Sequence, residues 1–274
     1  MIASPVDPAL THKRAESNSW LTSYRVTDED EMEASFSLPS STAPPQLPAL
    51  MEVWRQAGLV FAHRVLHVPM DHVFALASIS LQMRDPGSWH RVSRQGVLHV
   101  SDCVFSVTRS VVRAAKASAR MRLDSGEVLE GRLSARFLPV GTYARLRSAS
   151  PALPREDAAL PTSGYSGSTT GATAPGPMVQ PFFDHEHDHV TAMTVVSAIE
   201  RTVADTSKAA LRGLKLDFET YIDAYPVPEI PLTTVTNGQF KGTVLQHGRL
   251  KASFSGSMVP ALLPGVQAFV RCPL

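Results

Sequence analysis

Glu52, Gln56 and His63 fall at multiples of roughly four residues, a spacing that puts them on one face of a helix, with Arg55 close by. Around them Leu50, Met51, Val53, Trp54, Ala57, Leu59, Val60 and Phe61 leave almost no polar side. A helix that is apolar all round is a buried helix. Burying a carboxylate costs several kcal/mol unless something pairs with it. Glu52 therefore either has a structural partner, such as Arg55 or a histidine, or faces a cleft and moves protons. In the second case an apolar setting is expected to raise its pKa towards neutrality, which suits proton transfer.

A second concentration of chemistry is Asp184-His185-Glu186-His187-Asp188-His189. In an extended chain its three histidines share one face, and three imidazoles could hold zinc with an open position. The spacing matches no established zinc motif, so no metal is expected. His185 is instead a candidate to orient a substrate or shuttle its proton, against the plainer reading of a solvated loop histidine.

These groups need elements to position them. The helix Met51–His63 is entered from the proline-rich loop 39–48 and ends before Pro69. Trp20–Val26 and Glu31–Leu38 read as strands before it. His72–Met83, Gly96–Val107, Val111–Leu123 and Val128–Val140 read as strands after it. Residues 148–177 are rich in Ser, Thr, Gly, Ala and Pro, and cannot bury enough apolar surface to hold one conformation. The order then repeats. An extended piece at Met178–Phe183 precedes a helix, Ala192–Lys208. Strands follow at Leu211–Ile222, Gly238–Gln246, Arg249–Met258 and Gly265–Arg271. Two helix-then-strands units joined by a linker form an internal repeat. The expected fold is α+β, a tandem (double) hotdog with two long buried helices, each wrapped by an antiparallel sheet. The expected domains are 9–147, a flexible linker 148–177, and 178–274.

Composition excludes several classes. A net charge of +1 gives no broad electrostatic case for nucleic acid or an anionic membrane. No apolar run approaches the ~20 residues that span a bilayer, and no secretory signal is visible. Cys103 and Cys272 are distant in sequence and read as reduced thiols, so a cytoplasmic protein is expected. The strand arginines Arg109, Arg113, Arg120, Arg122 and Arg136 read as a solvent-facing set, with docking of an acidic carrier protein as the alternative.

Four segments carry a family resemblance: His12-Lys13, Glu52-Val53-Trp54-Arg55-Gln56-Ala57-Gly58-Leu59, Val68-Pro69, and Phe183-Asp184-His185 continuing to Asp188-His189-Val190. Together they resemble both halves of the A-factor (γ-butyrolactone autoregulator) synthases, the AfsA-type double hotdog proteins. The resemblance implies an acyltransferase without metal or cofactor. Such an enzyme moves a β-ketoacyl group from an acyl carrier protein onto dihydroxyacetone phosphate or a similar three-carbon acceptor, and the ester then cyclises towards a butenolide. The first helix is also similar to that of hotdog dehydratases, which implies a composite site with Glu52 as base and His185 from the paired unit. Arg55, Gln56, His12, Lys13, His189, Ser197 and Arg201 are the candidate substrate-binding residues. Ser197 stands where the family usually has Glu, and Glu200-Arg201 replaces an Arg–Gln pair, so the reciprocal site looks degenerate. A dehydratase or thioesterase acting on acyl thioesters, or a non-catalytic acyl-binding homologue, are the alternatives. Two fused units would act as an internal pseudo-dimer, as a monomer or a homodimer.

Overall fold

The structure, a computed structural model, describes residues 3–40, 47–84, 93–148, 189–223 and 226–260. In chain order come β1 (Ser4–Pro5), β2 (Leu21–Asp28), β3 (Glu31–Ser37), α1 (Leu47–Arg64), β4 (His72–Met83), β5 (Gln95–Thr108), β6 (Val111–Leu123), β7 (Val128–Pro139) and α2 (Val140–Ser148). After the undescribed stretch follow α3 (Ala192–Ser207), β8 (Ala209–Phe218), β9 (Leu232–Thr236), β10 (Gln239–Gln246) and β11 (Arg249–Pro260). The eleven strands form one antiparallel sheet in the order β1-β2-β3-β5-β6-β7-β4-β8-β11-β10-β9.

The halves meet where β4 pairs with β8, with Ile79 opposite Leu216 and Leu81 opposite Leu214. Gln82 crosses this seam and exchanges hydrogen bonds with Ser257 of β11 at 3.0 and 3.1 Å. Gly213 makes room for it, since a Cβ there would lie 1.7 Å from Gln82 Oε1.

α1 is buried on nearly every side, as its residues require, and Trp54 is wholly enclosed. It packs on strands of its own half and touches β8 and α3 of the other. α3 buries Met193, Val195, Val196, Ile199 and Val203 mainly against β8. Thr191 caps its N-terminus by accepting the Thr194 amide, and Lys208 ends it in the left-handed region.

Some elements differ from expectation. Residues 140–148 form α2, whose side chains are all at least partly exposed, so no apolar stripe marks it. β9 is an edge strand with no buried residue, so it lacks the alternation that signals a strand. β8 ends at Phe218, short of the expected Ile222. The expected strands 178–183 and 265–271 lie outside the described residues, as does all of the expected linker beyond Ser148. No helix among the described residues is long and apolar enough to cross a membrane.

Candidate active site

The N-terminal arm closes over one face of α1. Asp7 caps a 3-10 turn, Pro8–Thr11, and His12 leaves it at φ 55°. That conformation turns His12 and Lys13 inward; Lys13 is 9 % exposed. Gln56 fastens the arm. Its carbonyl accepts the Trp20 amide at 2.9 Å, and its amide donates to Asn18 O at 2.8 Å and to Glu52 Oε1 at 2.9 Å.

Glu52, 1 % exposed, sits at the centre of this array. Arg55 donates from Nε to Oε2 at 2.7 Å and from its terminal nitrogen to Oε1 at 2.8 Å. Lys13 Nζ lies 3.1 Å from Oε1. Burial pushes the carboxyl pKa up. The Arg55 charge and hydrogen bonds, then the Lys13 charge and the Gln56 amide, together outweigh it and hold the group below the ordinary carboxylate value. The expected rise towards neutrality is therefore reversed: the helix supplied the burial, but the arm and the next turn supplied the donors.

Glu52, Arg55, His12 and Lys13 line a cavity of about 810 Å³. Its wall is mainly apolar, with Trp54, Phe61, Leu133 and Phe137 from the first half. His189–Met193 and Phe218–Ile222 close it from the second half. Lys13 and Arg55 bring two cationic groups to this corner beside Glu52, groups of the sign that suits an anionic substrate.

His189 also lines the cavity. Its Nδ1 is 3.3 Å from the Tyr143 hydroxyl, and its ring packs against Tyr221 at 5.8 Å. Arg147 lies over Tyr221 at 5.5 Å and pairs with Asp223 at 2.9 Å. Gln56 is wholly buried and does not line the cavity. Ser197 and Arg201, half-buried on α3, do not line it either. His185 lies outside the described residues. Among the described residues no group of three or more His, Cys, Asp or Glu side chains is placed to hold a metal ion.

Three contributors fall outside the expected set. His63 Nε2 meets His12 Nε2 at 3.0 Å, while its Nδ1 is 2.7 Å from Val68 O. Burial lowers the His63 pKa; the Val68 carbonyl raises it, and the Arg64 and His72 charges lower it further, with a net shift downwards. The shared helical face of Glu52, Gln56 and His63 was the signal for it. Tyr143 belongs to α2, which gave no signal. Tyr221 follows β8 in a segment expected to be strand.

Residues 1–140 match the family described as the AfsA A-factor biosynthesis hotdog domain. Comparison with curated proteins gave no match. Among solved structures the chain is similar to a 12:0-ACP thioesterase from Umbellularia californica, with TM-score 0.53 and 12 % identity over 86 % of this chain and 99 % of that one. It is also similar to an acyl-ACP thioesterase from Bacteroides thetaiotaomicron, with TM-score 0.50 and 12 % identity over 85 % of this chain and all of that one. At such identity the likeness shows the fold alone.

Proposed function

Because this chain belongs to the A-factor biosynthesis hotdog-domain family, we propose that it is an acyltransferase that moves a β-ketoacyl group from a carrier-protein thioester onto a hydroxyl of dihydroxyacetone phosphate or a similar acceptor. The observation that carries this reading is the cavity itself, an apolar slot with a cationic corner anchored on Glu52. A hydrocarbon chain needs the apolar wall, and a phosphate or a developing oxyanion needs the cations. Residues 9–147 and 178–274 act as two hotdog units, and the cavity is drawn from both.

In this reading Glu52 serves by aiming Arg55 and Lys13. A carboxylate held ionised by four donor groups is a weak base, so the hydroxyl proton goes elsewhere. Hydrolysis is the second reading, because the same apolar slot and cationic corner would hold an acyl thioester for either reaction. It differs only in the acceptor, which is water.

Supplying a β-ketoacyl thioester with and without dihydroxyacetone phosphate separates the readings by mass spectrometry. A phosphorylated ester or butenolide supports acyl transfer. Free acid formed regardless of acceptor means a thioesterase, an enoyl product a dehydratase, and binding without turnover a non-catalytic protein.

A further inference from the structure

We propose that His72 is the general base of the site and that Asp71 is its positioning residue. This rests on the acyl-transfer reading. His72 opens β4, and strand alternation puts it on the same face as Phe74. That face is the inward one. Phe74 meets Phe137, its partner on β7, edge-on at 4.8 Å, and meets His12 edge-on at 5.1 Å. His72 and Phe74 both line the substrate cavity, on a wall that reaches His12, the neighbour of Lys13.

The two ring nitrogens of His72 are unequal. Nδ1 lies 2.9 Å from Asp71 Oδ1. A carboxylate only accepts, so Nδ1 carries a proton and donates it. In the neutral ring Nε2 is then a lone pair. It is buried and has no hydrogen-bond partner among the described residues. The Asp71 side chain is 72 % exposed and that of His72 only 8 %, so the pair runs from the rim inwards. A buried polar atom without a partner costs free energy, and one explanation for such an atom in a folded protein is a catalytic role. On a ring that lines the cavity, the acceptor hydroxyl is the group that completes it. Carboxylate on Nδ1–H and substrate on Nε2 is the order that holds a catalytic histidine in its working tautomer.

The step balances without another reactant. His72 Nε2 takes the proton of the acceptor hydroxyl as its oxygen bonds to the thioester carbonyl carbon. The tetrahedral intermediate collapses, the carbon–sulfur bond breaks, and the imidazolium returns the proton to the departing sulfur. Asp71 keeps its hold on Nδ1–H throughout and stabilises the imidazolium while it exists.

The test uses the full chain with ¹⁵N labels. NMR of the wild type, with His72 assigned through its backbone connectivities, reads the tautomer. His72 is expected as the Nδ1–H form. Its Nε2 signal is expected to shift when dihydroxyacetone phosphate is added without thioester, at a concentration saturating for turnover, as the hydroxyl donates to the lone pair. His72→Gln is expected to lower kcat by about 10²–10⁴-fold, the usual worth of a general base, with partial rescue by added imidazole. Asp71→Asn is expected to lower kcat with KM unchanged and to raise the share of the Nε2–H tautomer, and Asp71→Glu to keep more of the rate. An Nε2–H wild type, an Nε2 signal indifferent to the acceptor, or a His72→Gln enzyme as fast as an active wild type overturns the base role alone. The wild-type spectra decide even where His72→Gln fails to fold. A wild type that forms no ester with any acceptor overturns the acyl-transfer reading and the base role with it.

Discussion

Arg55 grips Glu52 with a two-pronged hydrogen bond, 2.7 and 2.8 Å, one turn along the same helix. The carboxylate is buried while the guanidinium side chain is 24 % exposed, so the pair joins the core to the cavity wall. Removing one partner of a buried ion pair typically costs about 3–5 kcal/mol, because the other charge is left uncompensated. Glu52→Gln leaves Lys13 and Arg55 facing each other without their anion. The expected result is a large drop in the urea midpoint together with loss of turnover. A variant as stable as wild type but inactive would instead mark Glu52 as the base.

Lys13 tests the cationic corner from the arm. Its Nζ is 3.1 Å from Glu52, and its side chain is almost buried. A hydrogen bond to a charged group is worth about 1.5–3 kcal/mol, a factor of roughly 10 to 150. Lys13→Met is expected to raise KM for dihydroxyacetone phosphate by about tenfold or more, and to leave KM for unphosphorylated dihydroxyacetone unchanged. Saturation kinetics with both acceptors reads the difference. Equal effects on the two would place the phosphate elsewhere.

What was legible follows burial. α1, β4 to β7, α3 and the last two strands carry dense apolar patterns, and the sequence places each within a few residues. α2 and β9 bury no side chain, so no periodicity marks them. The site divides the same way. Glu52, Arg55, Gln56 and His63 announce themselves by helical spacing on an apolar element. The protonation of Glu52 could not be read from that element alone, because Arg55 on the helix is joined against burial by a second cation, Lys13, from 39 positions away. Long-range donors of this kind leave no local pattern.

Glu200 gives a pH signature for the second half. It is half-buried on α3, and burial, only partly offset by Arg201, pushes its pKa up to about 8. In the unfolded chain a Glu titrates near 4.3, so between those values the folded state alone holds the proton. Stability is therefore complete below the unfolded pKa and falls as pH rises towards about 8. Glu200→Gln removes the charge that must be desolvated. Its expected Tm exceeds that of wild type at pH 8 and approaches it at pH 5. Calorimetry at the two pH values reads this, and a parallel pair of curves would show that Glu200 is solvated.

Gly58 tests where the acyl chain lies. It lines the cavity from α1, facing Leu133 of β7; a Cβ there would come 3.2 Å from Leu133 Cδ1, the end of a side chain that can turn aside. Leu in place of Gly gains up to about 1 kcal/mol in helix propensity, against an overpacking cost of about 1–3 kcal/mol. Gly58→Leu is therefore expected to fold with at most modest loss of stability while shortening the slot. Each methylene that no longer fits forfeits about 0.8 kcal/mol of burial, close to fourfold in kcat/KM. The variant is expected to favour shorter acyl thioesters progressively across a series of increasing chain length. An unchanged length profile would mean that the chain runs past the other wall, along β4 and the 218–222 segment.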